Sequence, residues 1–311
     1  MGKNNIFIAT SSFGSFSKIP NELLKRNNII SKKNKTGRKL DQTELIKMAK
    51  NFSGIIAGTE KYDRLVIDSL PNLQAISRLG LGMDNIDMEL ALERNIKIFK
   101  TNTTPAPAVA ELTLGLILDV SRKVTQQHTQ LTTEGIWRKK MGSLLKGKKL
   151  GIIGLGSIGK TLVELVSGFK FQVLAYDLFH DKAFQRLYNI TYCDLDTVLN
   201  ESDVISIHLN LTDKTTSIIS EKQISLMKPE AILINTSRGE IIDENVLYDA
   251  LKSNHIAGAG LDVFQEEPYL GPLRKLDNVV LTPHIGSYAQ EIRIKMEIEA
   301  TNNLIRGLNE I

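Results

Sequence analysis

The sequence predicts an α/β protein built on parallel sheets and divided into two domains. Short β-branched runs alternate with helix-length amphipathic segments from one end of the chain to the other, the pattern of βα units whose strands are covered by helices on both faces. A length of 311 residues exceeds the usual size of one domain, so two substantial cores are expected. The hydrophobic content of 42% and charged content of 24% are those of an ordinary soluble protein.

In chain order, the expected strands are "NIFIAT", "GIIAG", "AISRL" and "IKIFK", then "KLGIIG", "FQVLAY", "VISIHL", "AILINTS", "AGLDV" and "VVLTPH". Helix starts carry caps: Asp41 precedes Glu44 at capping-box spacing, and Asp243 opens "DENVLYDALKS". The domain boundary is placed in "KTNTTPAPAVAELT", residues 100 to 113, because Pro105 and Pro107 disfavour helix at the residues before them and suit an extended crossing.

Bulk properties exclude several classes. The net charge of +4, from 39 basic and 35 acidic residues, is mild, and the basic residues are scattered, which argues against a nucleic-acid protein. The single cysteine, Cys193, rules out an internal disulfide framework and a cysteine-built metal site, and fits a reducing compartment. "MGKNNIFIATSSF" lacks the regions of a signal peptide, and no apolar stretch of about 20 residues is present. A soluble, cytoplasmic protein without a membrane partner is expected.

The most informative stretch is "GKKLGIIGLGSIGK". A strand runs directly into Gly154, Gly156 and Gly159, the helix "SIGKTLVELVSGF" follows, and "FQVLAYD" makes a second strand ending at Asp177. Strand, G-x-G-x-x-G, helix, strand and acid together form the dinucleotide-binding unit of a Rossmann-like domain. The first glycine makes the tight turn, the second admits a pyrophosphate, and the third allows close helix–strand contact. Diphosphate would sit on the amides at the helix start, around Ser157 and Ile158. Asp177 suits ribose hydroxyls and would repel a 2′-phosphate, and the following "LFH" brings no arginine, so NAD is favoured over NADP.

Hydride transfer to or from a nicotinamide also needs a proton donor or acceptor, a group that orients it, and a clamp for the substrate. Three strand ends supply them. "AILINTSRGE" reaches Arg238, whose two-pronged guanidinium suits a carboxylate; "AGLDVFQEEP" carries Asp262, Glu266 and Glu267; "VVLTPHIGS" carries His284. His284 is the expected acid/base. His128, His180 and His255 fit that role less well, and His208 is weighed as structural.

At this point the chain resembles the D-isomer-specific 2-hydroxyacid dehydrogenases, and within them the phosphoglycerate dehydrogenase branch. The resemblance runs through "SRLGLGMDNID", "NTTPAPAVAELTLGLIL", "GKKLGIIGLGSIGK", "NTSRGEIIDENVLYDAL", "GAGLDVFQEEP" and "TPHIGS", so it covers nearly everything from residue 54 onward. It implies that Arg238, Glu267 and His284 are the catalytic residues, that Asp262 contacts the nicotinamide carboxamide, and that backbone amides around Leu79, Gly80 and Leu81 join Arg238 in binding the substrate carboxylate. It further implies a discontinuous fold of two Rossmann-like or flavodoxin-like domains. In it a substrate-binding domain of residues 1–101 and 286–311 flanks an NAD-binding domain of residues 102–285, whose segment 111–146, with "GIWRKKMGSLL", is a dimer-forming arm. A homodimer acting on a small 2-hydroxy or 2-keto acid is the expectation.

The pattern departs from the branch in places. Where phosphoglycerate dehydrogenases place an arginine for the phosphate, this chain has Ala57, Gly58 and Thr59, with Lys61 the nearest cation. The basic stretch "SKKNKTGRKL", residues 31 to 40, is read as a solvated loop, with Arg38 or Lys39 as the alternative contacts for an anionic tail. The matching sequence ends with the last helix, so a regulatory domain beyond it is not expected. Phosphoglycerate therefore stays open beside glyoxylate and hydroxypyruvate. A formate dehydrogenase would require glutamine at Glu267. A dinucleotide-sensing, corepressor-like interaction protein is the reading from another class, disfavoured by the lack of a disordered or motif-docking appendage.

Overall fold

The computed structural model describes residues 5–310. The chain divides into two compact units, Met1–Pro105 with Tyr288–Ile311, and Ala106–Ser287.

The first unit contains β1 (Asn5–Ile8), β2 (Ile30–Lys33), β3 (Gly54–Ala57), β4 (Ala75–Arg78) and β5 (Lys97–Lys100), in the sheet order β2-β1-β3-β4-β5. Every pairing is parallel, and the order is the flavodoxin-like one. β3 and β4 are buried along their whole length, because a parallel sheet covered on both faces leaves no polar side. One face packs Leu45, Val66 and Leu90 from crossover helices; the other packs Leu24 and, from the closing helix Gln290–Asn309, Met296, Ala300 and Leu304. That distant helix is tied back to the chain's exit. The Glu299 carboxylate accepts from the amides of Asn102 and Thr103 at 2.7 and 2.9 Å. The unit is thus assembled from two separate segments.

β2 corrects the reading of residues 31 to 40 as loop throughout. Ile30–Lys33 pairs with β1 at the sheet edge, and its exposed Lys32 helps protect that edge from pairing with another chain. Beyond it, the Arg38 guanidinium is held by both oxygens of Glu44 at 2.7 Å. Glu44 also closes the Asp41 capping box of helix Gln42–Ala49, and the guanidinium holds its carboxyl down at about 2.

The second unit contains β6 (Lys149–Ile153), β7 (Gln172–Tyr176), β8 (Thr191–Tyr192), β9 (Val204–Ile207), β10 (Ile232–Asn235), β11 (Gly258–Leu261) and β12 (Val279–Leu281). Their order is β12-β11-β10-β9-β6-β7-β8, parallel throughout. This is the doubly wound dinucleotide-binding order with one strand added, and it places the topological switch between β6 and β9. Apolar clusters cover both faces, one around Leu199, Leu233 and Leu247, the other around Ile117, Leu162 and Val173. The unit opens with helix Ala106–Arg122, so Pro107 lies inside the first helical turn and not in the crossing. Proline is tolerated there because the amides of the first turn have no intrahelical partner. Among the described residues, no helix is long and apolar enough to cross a membrane.

Candidate active site

The glycine loop follows β6. Gly154 adopts φ +97°, and a Cβ on it would lie 2.8 Å from the His208 backbone at the end of β9. Only glycine satisfies both demands. A Cβ on Gly159 would come 2.6 Å from the Gly154 carbonyl, which is the close packing of helix Ser157–Leu165 on the loop. Around Gly156, by contrast, a Cβ would meet nothing within 4 Å. No protein neighbour forbids a side chain there. Gly156, Ser157 and Ile158 open the helix, whose first amides lack intrahelical acceptors.

Asp177 stands just beyond β7, and its carboxylate accepts from the amides of Leu155 at 2.7 Å and Phe179 at 2.8 Å. One bond fixes it to the glycine loop, the other to its own turn. Each oxygen keeps a further lone pair for a hydroxyl.

Across the switch point, the His208 ring accepts or donates at Nε2 to Ser206 Oγ (2.9 Å), while Nδ1 is buried without a partner. Burial drops its pKa from 6.5 to about 3. The unfolded state therefore binds a proton that the native state refuses, so this contribution to stability is complete above pH 6.5 and is lost as pH falls toward 3. Urea midpoints for the native protein and His208→Gln between pH 7 and pH 4 should converge or cross as pH falls. The native acid limb should be steeper by up to about 1.4 kcal/mol per pH unit. Parallel limbs would show that His208 titrates normally.

The three loops after β10, β11 and β12 interlock. In the first, Arg238 follows a turn in which its Nη1 donates to the Ser237 carbonyl at 2.7 Å. Gly239 then presses so closely on the Phe264 carbonyl and the Gln265 amide that any Cβ would overlap them. The Arg238 turn and the loop leading to Glu267 therefore move as one. Gln265 is held in addition, with its amide on Glu244 Oε1 at 2.6 Å and its Nε2 on the Ile242 carbonyl at 2.9 Å. Burial, reinforced by the neighbouring Glu240, Glu266 and Glu267, pushes the Glu244 carboxyl up.

Glu267 precedes a cis peptide to Pro268, and both its oxygens lie 2.9 Å from His284 Nδ1. The acid that pairs with the imidazole is thus Glu267; Glu266 is exposed. His284 itself has φ +55°, the left-handed region that a non-glycine residue enters at some cost. Asp262 holds it there. Its carboxylate accepts from Thr282 Oγ1 at 2.6 Å and from the amides of Ile285 and Gly286 at 2.8 Å, gripping the loop on both sides of the histidine. At 1% exposure, Asp262 is an anchor under the His284 loop, a role its residue type alone did not announce. Burial pushes its carboxyl up, against the pull of those hydrogen bonds.

The other histidines are placed elsewhere. His128 is exposed on helix Val124–Thr133, His180 stacks on Tyr192 at 4.0 Å, and His255 bonds the Ile224 carbonyl through Nε2 at 3.1 Å.

Residues 79–81 belong to the first unit, and there the expectation narrows. The Leu79 amide donates to the Ala57 carbonyl at 2.9 Å, continuing the sheet ladder. Its one hydrogen is engaged, so it cannot also serve an anion. Gly80, at φ +152°, donates to the Arg78 carbonyl at 3.1 Å, and the Arg78 side chain bonds the Leu79 carbonyl.

A doubly wound dinucleotide fold with an Arg, a Glu–His pair and a glycine loop at its strand ends defines a nicotinamide-dependent dehydrogenase. The comparisons agree. The sequence model of the D-isomer specific 2-hydroxyacid dehydrogenase NAD binding domain matches residues 114–286. A glyoxylate reductase of Thermococcus litoralis is 42% identical over 257 residues, 79% of this chain and 77% of the relative. A hydroxypyruvate reductase of Thermotoga maritima is 38% identical over 280 residues, 88% and 90% of the two chains. A D-3-phosphoglycerate dehydrogenase of Archaeoglobus fulgidus is 36% identical over 88% of this chain and 53% of its own. Among solved structures, D-lactate dehydrogenase from Aquifex aeolicus complexed with NAD and lactic acid superposes with TM-score 0.82 at 27% identity, covering 99% of this chain and 96% of that one. The chain belongs to the D-isomer specific 2-hydroxyacid dehydrogenases. It is an NAD-dependent oxidoreductase.

Proposed function

We propose that the chain reduces small, unphosphorylated 2-keto acids, glyoxylate and hydroxypyruvate first among them, to the corresponding 2-hydroxy acids, of the D configuration where the product is chiral. The observation that carries the acid/base part is the His284–Glu267 pair. With Nδ1 engaged by the carboxylate at 2.9 Å, Nε2 is the nitrogen that carries the transferable proton. Bound NADH supplies the hydride. His284 protonates the carbonyl oxygen as hydride arrives, and in oxidation it accepts that proton back. Arg238 binds the carboxylate through its paired donors. Asp262 fixes the loop of His284 and its carboxylate contacts the carboxamide. Gly154, Gly156, Ser157, Ile158 and Gly159 take the diphosphate, and Asp177 the ribose. In these terms Ala106–Ser287 is the cofactor domain and the first unit the substrate domain.

The absence of a phosphate on the substrate is supported by where the cations are. Arg38 is paired with Glu44 at 2.7 Å and Lys61 with Asp63 at 3.7 Å, and the residue between Thr59 and Lys61 is the buried acid Glu60, 3% exposed. The relatives named glyoxylate and hydroxypyruvate reductases point the same way. The test is NADH absorbance against glyoxylate, hydroxypyruvate and phosphohydroxypyruvate. The first two should exceed the third by about 10²-fold in kcat/KM; a preference for phosphohydroxypyruvate overturns the assignment.

Asp177 makes the enzyme choose NADH over NADPH. Asp177→Ala should erode that preference by about tenfold, the effect of one charge a few ångströms from a phosphate in a partly wet site. An unchanged ratio would remove Asp177 from the cofactor site. A homodimer is favoured by the run of exposed apolar side chains Trp137 (82%), Met141 (89%) and Leu144 (73%), and a light-scattering mass twice that of one chain is expected. A cytoplasmic location completes the reading.

A further inference from the structure

Three candidates stand outside the residues assigned above. The groove between helices Glu221–Ser225 and Glu244–Lys252 has nothing that points to an occupant. Glu60 is a buried acid with its own loop amide for a partner. The third, Asn235, is different, because it touches the backbone of Arg238.

Asn235 ends β10 and is 1% exposed. Its Nδ2 donates to the Arg238 carbonyl at 2.8 Å. Its Oδ1 accepts from the Ser237 amide at 3.0 Å and the Ser237 hydroxyl at 2.7 Å. Its own carbonyl accepts from the Asp262 amide at 3.0 Å. One side chain thereby closes the whole turn from 235 to 238, and one backbone bond joins that turn to the residue beneath the His284 loop. The hydroxyls of Thr236 and Thr113 meet at 2.9 Å behind it, so the turn is also braced against helix Ala106–Arg122.

We propose that Asn235 is a positioning residue for Arg238: it sets the direction in which the guanidinium leaves the turn, and through it the capture of the substrate carboxylate. The inference rests on Arg238 holding that carboxylate. A primary amide suits the place because it presents a donor to the Arg238 carbonyl and an acceptor to Ser237 at once. Aspartate keeps the acceptor and loses the donor; alanine loses both.

Displacements of about 1 Å in a binding group can reduce rate by about 10²-fold. Asn235→Ala should therefore lower keto-acid kcat/KM by about 10- to 100-fold, chiefly through KM, while the Kd of NADH, read by fluorescence titration, stays within about twofold. Asn235→Asp sets a buried carboxylate oxygen against the Arg238 carbonyl in place of the donor and should cost at least as much as Asn235→Ala. The decisive measurement is a double-mutant cycle with Arg238→Ala. If Asn235 acts through Arg238, adding Asn235→Ala to Arg238→Ala costs less than about twofold more. Additive losses, or NADH affinity falling in parallel with keto-acid efficiency, make Asn235 a general structural residue and overturn the proposal. Ser237→Ala removes one bond from the same turn and runs the same cycle should Asn235→Ala fail to fold. Arg238→Ala with native keto-acid efficiency would instead overturn the carboxylate assignment itself, a result separable from an additive cycle.

Discussion

His284→Ala should lower kcat for keto-acid reduction by about 10²- to 10⁴-fold, the range for loss of a positioned general acid, with NADH binding retained. The expectation follows from how the histidine is mounted. Its loop is gripped by Asp262 through Thr282, Ile285 and Gly286, so the backbone keeps its course when the ring is removed, and the glycine loop belongs to other strands. The positive φ of +55° demands a companion variant, since alanine enters that region reluctantly. His284→Asn is tolerated there more readily and equally lacks a proton donor of suitable strength. Both variants should lose activity to a similar degree. Activity in His284→Asn near that of the native enzyme would show that alanine had merely disturbed the loop and that the acid lies elsewhere.

What could be read from sequence, and what could not, follows from where each signal resides. The ten strands expected from β-branched runs are present because most of them are buried on both faces, and burial is written locally as apolar composition. The two strands not anticipated, β2 and β8, lie at sheet edges. β2 carries lysines suited to an exposed edge and β8 has two residues, so neither displays a hydrophobic pattern. From sequence Pro107 reads as part of a crossing because its effect on the preceding residue is local, whereas its tolerance at a helix start depends on where the helix begins.

At the site the same division holds. Arg238, Glu267 and His284 announce themselves by residue type at strand ends, and the motif resemblance ranks them above their neighbours. That Glu267 and not Glu266 meets the imidazole is a matter of geometry. What composition and spacing do not encode is the scaffold beneath: Asn235 closing the Arg238 turn, Asp262 under His284, and Gly239 admitting the Phe264 backbone. Asp262 acts through partners twenty or more residues away, Gly239 through the absence of a side chain, and Asn235 through short-range bonds that exist only once the turn has closed. The Leu79 amide shows the converse, since a glycine-rich stretch suggests open amides and only the ladder to Ala57 reveals that one of them is engaged.

Glu267→Gln should cost about 10²-fold or more in kcat/KM, although it changes no volume. The carboxylate does two things for His284: it accepts the Nδ1 hydrogen, which fixes the tautomer, and it stabilises the imidazolium that reduction consumes and oxidation creates. Glutamine keeps at most the first, and in half of its orientations it presents an NH₂ group to Nδ1 and opposes even that. Because a substitution leaves the overall equilibrium untouched, the efficiencies of reduction and oxidation at a fixed pH must fall by the same factor as long as NADH and NAD binding are unchanged. Measuring both directions is therefore an internal check on the kinetics. Glu266→Gln is the matched control, removing the same charge one residue away from an exposed side chain, and it should alter efficiency by less than about threefold, as surface charges usually do. Native-like activity in Glu267→Gln, or equal losses in the two variants, would mean that the ring is oriented by the loop anchored on Asp262 alone and that the pair, close as it is, contributes nothing to proton transfer.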